Sequence, residues 1–330
     1  MSMSVNLPTF ADVEAAAARI APFAFKTPLV ENADLNRKLG ARVFLKLETL
    51  QRTGSFKFRG AFNRIGRIAL ADRAKGVVAF SSGNHAQGVA AAAALFAMPA
   101  LIVMPKDAPR AKLEGTKAYG AQIVFYDRAT DDREAIALGL CEERGATLIR
   151  PFDDADIVAG QGTVGLEIAH DAALRGAALD AVLVPCSGGG LVSGIALAFS
   201  VSSPATRVVS VEPENYDGMK RSLAGGTRTA APGGAPSIAD GLMALVPGKI
   251  PFAIAKRHIS DALAVSDLEL VNAVAYAAET LKLLVEPSGA AGLAALISGK
   301  YAAEDQAVAV VLTGANADLS TIAEACARAR

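Results

Sequence analysis

Short runs of apolar and β-branched residues alternate along the chain with longer stretches whose apolar positions recur at helical spacing. The runs predict β-strands at residues 42–48, 76–81, 100–105, 122–126, 147–150, 181–186, 207–213 and 307–314. Most are apolar at nearly every position, which is typical of parallel strands covered on both faces. The intervening stretches predict helices at residues 11–20, with Thr9 as N-cap, and at 87–97, 110–119, 133–144, 157–174, 268–281 and 289–297. This alternation indicates an open α/β fold.

The composition is that of a globular protein, and the balanced charge gives no sign that the chain binds a polyanion such as nucleic acid. Its 330 residues are 52% apolar and 20% charged, which suits one large domain or about two. The 33 basic and 33 acidic residues cancel, so we expect neither nucleic acid nor a membrane as partner. The first residues lack a signal-peptide pattern, and the most apolar stretch, residues 89–105, is interrupted by Pro99. The three cysteines form neither a disulfide framework nor a zinc spacing, so we expect a cytoplasmic protein.

Loops that follow the carboxyl ends of strands are where open α/β proteins bind ligands. The first candidate is "TGSFKFRGAF", residues 53–62, which places Lys57 between Phe56 and Phe58. Lys57 could simply cover apolar surface with its stem. Alternatively, two phenylalanines would desolvate its ammonium and favour the neutral amine of a Schiff-base lysine.

Two further loops combine glycine with the start of a helix. "SSGNHAQG", residues 81–88, offers backbone N–H groups that suit a carboxylate or phosphate, although Ser and Asn are also ordinary helix caps. "PCSGGGLVSG", residues 185–194, predicts a concave nest of N–H groups for a phosphate. It lacks both the glycine spacing of a dinucleotide site and the lysine of a P-loop. A long segment rich in Gly, Pro and Ala, residues 223–241, is a candidate functional surface loop.

The remaining candidates are "VEPSGAAG", with Glu286, and "LTGAN", with Thr313. Each alone could be an exposed acid or an ordinary turn. One ligand explains the whole set, because pyridoxal phosphate needs an amine, a phosphate nest, and partners for its ring nitrogen and phenol oxygen.

These motifs resemble the fold-type II pyridoxal-phosphate enzymes, in particular the threonine/serine dehydratases, serine racemases and hydroxyaspartate dehydratases. The similarity covers nearly the whole chain and includes "KTPLVENADLN", "AGQGT" and "LTGANAD". It implies the tryptophan synthase β-like α/β fold, with two three-layer domains and open, twisted, mainly parallel sheets. Residues 1–52 plus 151–330 would form the large cofactor-binding domain, and residues 53–150 an inserted small domain. It also implies a homodimer.

The resemblance further implies a role for each matching residue. Lys57 would bond the cofactor and remove the substrate α-proton, and Ser82 would act as acid or base on the opposite face. The cofactor would also contact Phe56, Asn84, Ser187, Gly188, Gly189, Gly190, Leu191, Glu286 and Thr313. The substrate carboxylate would lie among Ser81, Ser82, Gly83, Asn84 and His85.

The implied activity is a pyridoxal-phosphate-dependent ammonia-lyase that converts L-threonine or L-serine to a 2-oxo acid and ammonia. A neutral Thr313 at the ring nitrogen favours loss of a β-hydroxyl over transamination. Serine racemase and hydroxyaspartate dehydratase are alternatives that Ser82 favours, and a non-catalytic small-molecule binding protein is the remaining one. We expect no metal site, because Gly218 stands where racemase-like members carry an acidic ligand downstream of Glu212.

Overall fold

The strands of the computed structural model, which describes residues 6–329, form two separate sheets. In the described part of the chain the larger sheet has six strands in the order β1-β2-β10-β7-β8-β9, and only the β1–β2 pair is antiparallel. These strands are β1 (Leu29–Glu31), β2 (Arg42–Leu47), β7 (Ala181–Pro185), β8 (Arg207–Pro213), β9 (Asp261–Val265) and β10 (Ala307–Leu312).

The smaller sheet is wholly parallel and has the order β5-β4-β3-β6. Its strands are β3 (Val77–Phe80), β4 (Ala100–Pro105), β5 (Gln122–Tyr126) and β6 (Thr147–Leu148). All of them lie inside the segment expected to form the small domain, while the larger sheet takes strands from both sides of it. The exact domain boundaries stay a prediction.

Helices cover both sheets. They are α1 (Phe10–Ile20), α2 (Ala33–Leu39), α3 (Lys57–Gly66), α4 (Asn84–Leu95), α5 (Arg110–Ala118), α6 (Arg133–Arg144), α7 (Ala155–Leu174), α8 (Gly190–Ser202), α9 (Gly218–Gly225), α10 (Lys249–His258), α11 (Asp267–Tyr276), α12 (Ala291–Ile297) and α13 (Leu319–Arg328). None of the helices described here is long and apolar enough to cross a bilayer.

Strand β10 shows why the apolar runs are continuous. Val308, Val310 and Leu312 pack on one side with α11, α12 and α13. Ala309 and Val311 pack on the other side with α7, α8 and α10. Because alternate residues face opposite sides of a strand, burial on both faces requires apolar residues throughout. The smaller sheet follows the same rule, with α3 and α4 on one face and α6 on the other.

Every predicted strand segment contains a strand, but the segment at residues 147–150 forms only the two-residue β6. Thr9 caps α1 as predicted, in a capping box with Asp12. The predicted helix at 268–281 is α-helical only to Tyr276 and continues as a π-helical turn, Ala277–Leu281. The predicted loop at 223–241 begins later than expected, because α9 extends to Gly225.

Candidate active site

Loops at the carboxyl ends of strands from both sheets surround one cavity of about 470 Å³. The sequence candidates are far apart along the chain, yet the structure brings all of them to this cavity. Its lining includes Phe56, Lys57, Ser81, Ser82, Gly83, Asn84, His85, Ser187, Gly188, Gly189, Gly190, Leu191, Glu286 and Thr313.

Lys57 is the first residue of α3 and extends into the cavity. Its Nζ donates a hydrogen bond to the Pro151 carbonyl oxygen at 3.0 Å and lies 5.1 Å from the Phe56 ring centroid. Burial lowers the pKa of this ammonium to about 8. Phe58 does not contribute as expected: successive helix residues point in different directions, and its side chain packs into the core of the smaller sheet.

The start of α4 leaves its backbone N–H groups facing the cavity without a side-chain cap. Its N-cap is Gly83, and the Ser81 hydroxyl accepts a hydrogen bond from the Gly83 N–H at 3.1 Å. Ser82 makes no capping hydrogen bond to this helix, and it lies on the cavity lining. An uncapped helix N-terminus suits a carboxylate.

His85 is neutral and fixed in orientation. Its Nε2 lies 2.9 Å from the Ile149 carbonyl oxygen, which requires a proton on Nε2. Burial, with a smaller effect of the Lys57 charge, lowers the pKa of His85 to about 3. Its Nδ1 is then a buried acceptor without a protein partner in the described structure.

The glycine-rich loop between β7 and α8 forms a cradle that has no room for side chains. A Cβ atom on Gly188 would lie 2.3 Å from Cγ of Phe152, and one on Gly189 would lie 2.6 Å from Cε of Met219. Gly189, the N-cap of α8, also has a φ of 92°, in the left-handed region that favours glycine. The hydroxyl of Ser187 accepts a hydrogen bond from the Ala244 N–H at 3.2 Å.

Glu286 is buried beside Asn84, which corrects the view of Glu286 as an exposed loop acid. The Asn84 side-chain amide donates to Oε1 of Glu286, and Asn316 donates to the Asn84 side-chain oxygen at 2.9 Å. Burial raises the pKa of Glu286, with Lys112 opposing the shift. Thr313 is held next to the Lys57 loop because its carbonyl oxygen accepts from the Phe56 N–H at 3.2 Å.

Sequence reasoning missed an ion-paired group on the lining. Nζ of Lys112 donates to both carboxylate oxygens of Asp240, at 2.9 and 2.7 Å, and lies 3.5 Å from Oε2 of Glu286. Burial lowers the pKa of Lys112, but the two carboxylates outweigh burial and the pKa is raised. Asp240 belongs to the Gly- and Pro-rich segment at residues 223–241. That segment was the sequence feature from which a contribution to the site could have been predicted. Two arginines, Arg128 and Arg133, also line the cavity.

Glu212, the acidic residue that racemase-like members use as a cation ligand, binds the backbone at the start of α9. Its two carboxylate oxygens accept hydrogen bonds from the N–H groups of Met219 and Lys220, both at 2.9 Å, at the start of α9. In the described residues no three His, Cys, Asp or Glu side chains cluster as metal ligands would. Both carboxylate oxygens of Glu212 are thus engaged by backbone donors, and the absence of a metal ion from the protein stays a prediction.

Known proteins resemble this chain over nearly its whole length. The model of the pyridoxal-phosphate-dependent enzyme family matches residues 20–314. The chain is 46% identical over 319 residues to L-threo-3-hydroxyaspartate ammonia-lyase of a Pseudomonas species, covering 97% of this chain and 98% of that protein. It is 38% identical to L-threonine ammonia-lyase of Thermotoga maritima, covering 95% and 77%. The solved structure of maize serine racemase has a TM-score of 0.91 at 36% identity, covering 98% of each chain.

The family resemblance, the fold class and the cofactor are thereby confirmed. The site itself fits pyridoxal phosphate: an amine of lowered pKa lies in the same cavity as a glycine cradle at a helix N-terminus. The roles of the individual residues stay predictions.

Proposed function

The chain belongs to the pyridoxal-phosphate-dependent enzymes, and we propose that it is an ammonia-lyase of β-hydroxy amino acids, with 3-hydroxyaspartate as its preferred substrate. The products would be a 2-oxo acid and ammonia. The observation that carries this proposal is the placement of Lys57. Its amine, with a pKa lowered to about 8, faces a cavity bounded by the uncapped N-terminus of α4 and the glycine cradle of α8.

The residues divide into those that hold the cofactor and those that hold the substrate. The backbone N–H groups of Ser187 to Leu191 would bind the cofactor phosphate, and Asn84, Thr313, Glu286 and Phe56 would contact its ring. The N–H groups and hydroxyls of Ser81 to His85 would bind the substrate α-carboxylate. When bound, pyridoxal phosphate supplies an electron sink for the negative charge that develops at Cα.

Proton transfer at Cα would be the work of Lys57. A lysine is a useful base only when it is neutral, and burial favours that form. Burial keeps His85 neutral. It therefore places no positive charge near Lys57 that would hinder Lys57 from accepting a proton. The buried Glu286 and the half-buried Asn84 are hydrogen-bonded to each other and would together orient the ring edge.

The choice of 3-hydroxyaspartate over threonine or serine is supported by two observations. The 46% identical relative carries that activity in its name. The cavity lining also bears Lys57, Lys112 and Arg133 against Asp240 and Glu286, while Arg128 is neutralised by Asp107 outside the lining. An excess of positive charge favours a diacid over a neutral side chain.

Serine racemase remains a second candidate because the Ser82 hydroxyl is not used as a helix cap and lines the cavity. The test is a substrate panel of L-serine, D-serine, L-threonine and the hydroxyaspartate diastereomers, followed for 2-oxo acid and chirality together. We expect the highest kcat/KM for 2-oxo acid formation with L-threo-3-hydroxyaspartate. Chirality exchange without 2-oxo acid would contradict the lyase assignment.

We also propose that the enzyme is a cytoplasmic homodimer. Its cysteines are free thiols, which suits a reducing compartment. Exposed apolar side chains, among them Phe25 at 53% and Leu50 at 56%, offer surface for a second copy. Light scattering of the purified holoenzyme would decide, and a monomer mass would contradict the dimer.

A further inference from the structure

Gln161, on α7, is a buried polar residue of the cavity lining that none of the roles proposed above uses. Its relative exposure is 1%, and it borders the same cavity as Lys57 and the glycine cradle. Its side-chain nitrogen, Nε2, has no hydrogen-bond partner in the described structure. Because a buried N–H group without an acceptor is unfavourable, this nitrogen calls for an acceptor that a ligand can supply.

The orientation of the Gln161 amide is fixed by the helix that carries Lys57. Oε1 of Gln161 accepts a hydrogen bond from the Gly60 N–H at 3.1 Å, in the first turn of α3. A side-chain amide nitrogen cannot accept from an N–H group, so the oxygen must face Gly60. A Cβ atom at Gly60 would lie 2.5 Å from Nε2, which leaves no room for a side chain there. The acceptor of the amide is therefore used, and its donor is the group left for a ligand.

The amide also lies on the helix that borders the glycine cradle. A Cβ atom on Gly162, the next residue of α7, would lie 2.7 Å from the carbonyl oxygen of Gly194, in the second turn of α8. Phe152, just ahead of α7, packs against Gly188 of the cradle. Because helix side chains lean toward the N-terminus of their own helix, the Gln161 amide extends toward the cradle end of α7.

A phosphate is the acceptor that these surroundings favour. The cradle and the start of α8 present N–H groups, so whatever they bind must carry several acceptor oxygens. The acidic side chains of the lining, Asp240 and Glu286, are already paired with Lys112. A phosphate bound by the cradle has oxygens left over for a further donor.

We infer that Nε2 of Gln161 donates a hydrogen bond to the phosphate of the cofactor while Oε1 holds the first turn of α3. One amide would then join the phosphate to the helix that begins with Lys57, and binding of the phosphate would help to position the amine. This inference rests on the proposed role of the cradle. It adds a side-chain donor to a phosphate site that would otherwise consist of backbone groups alone.

The test compares Gln161→Glu, Gln161→Met and a matched control, Gln87→Glu. Gln161→Glu keeps an acceptor for the Gly60 N–H but loses the donor, whereas Gln161→Met loses both. The control makes the same change at a glutamine of α4 that is 5% exposed and does not line the cavity. Each full-length apoenzyme is titrated by absorbance with pyridoxal phosphate and with pyridoxal, which has no phosphate. The ratio of the two dissociation constants isolates the contribution of the phosphate.

We expect the preference for pyridoxal phosphate over pyridoxal to fall about 10- to 100-fold in both Gln161 variants, as for loss of a hydrogen bond to a charged group. The control should keep the wild-type preference. Inorganic phosphate should raise the Tm of the wild-type apoenzyme and should raise that of Gln161→Glu much less.

An unchanged preference in both Gln161 variants would show that Gln161 only holds α3 and would overturn the inference. A wild type that binds the two ligands equally would overturn the phosphate cradle and this contact together. The substrate panel is a separate measurement, so failure of the lyase assignment would leave the ratio of dissociation constants to decide on Gln161.

Discussion

Lys112 on α5 and Asp240 in the segment after α9 form an ion pair that joins the part of the chain carrying the smaller sheet to the part carrying the larger one. The Lys112 side chain is 5% exposed and the Asp240 side chain 31%, and their closest contact is 2.7 Å. The stem of Lys112 also packs against Gly83, where a Cβ would lie 2.3 Å from Cδ of Lys112. Lys112 thus connects the segment after α9 to the start of α4.

Replacing Lys112 should destabilise the folded protein. In Lys112→Met, Asp240 and Glu286 lose their shared cation, so we expect the free energy of unfolding to fall by about 3 kcal/mol in denaturant titrations. Lys117→Met on the same helix removes an exposed lysine, 3.7 Å from Glu114, and should change stability by less than about 0.5 kcal/mol. Equal effects of the two substitutions would show that the ion pair does not stabilise the enzyme.

The glycine cradle gives a second prediction. Gly188→Ala would drive a methyl group into the Phe152 ring, so the loop must shift and stability should fall by about 1–3 kcal/mol. Because the same loop is proposed to hold the cofactor phosphate, the affinity for pyridoxal phosphate should fall with it. Gly139→Ala, in α6 with open space around it, should instead stabilise the protein by about 0.5–1 kcal/mol. If Gly188→Ala binds pyridoxal phosphate as tightly as the wild type does, this loop does not hold the cofactor phosphate.

The pKa of Lys57 predicts how the apoenzyme takes up its cofactor. Only the neutral amine attacks the aldehyde carbon, and the folded-state pKa is lowered to about 8. The rate of recombination with pyridoxal phosphate, followed by absorbance, should therefore fall about tenfold per pH unit below that value and level off above it. A rate that keeps rising to pH 10 would indicate an ordinary, solvated lysine.

Substitution of Ser82 should affect racemisation and elimination differently. If Ser82 exchanges a proton on the face opposite Lys57, Ser82→Ala should lower racemisation of L-serine by about 100- to 10,000-fold and leave L-elimination largely intact. The measurement is the ratio of D-serine to 2-oxo acid formed from L-serine. An unchanged ratio would make Ser82 a binding residue only.

Much of this arrangement could be predicted from sequence because it is local. The buried strands and the Gly-rich loops that follow them are continuous in the chain, so β3 with Ser81–His85 and β7 with Ser187–Leu191 were visible as units. The three-residue β1 and the half-exposed β9 were missed because neither forms a long apolar run. Contacts between distant segments were also hidden. Burial of Lys112 and Glu286 depends on how the two sheets pack, and burial of Phe58 depends on how α3 packs against the smaller sheet.

The central claim is that Lys57 is the base and cofactor-bearing amine of a β-hydroxy amino acid lyase. The most direct measurement is release of ammonia and 2-oxo acid from L-threo-3-hydroxyaspartate by the wild type and Lys57→Ala, with borohydride reduction and peptide mapping of each. We expect equimolar products and a cofactor adduct on Lys57 in the wild type, and in the variant no adduct and a loss of more than about 100-fold. Turnover near the wild-type rate in Lys57→Ala, or a reduced adduct on another lysine, would contradict the account.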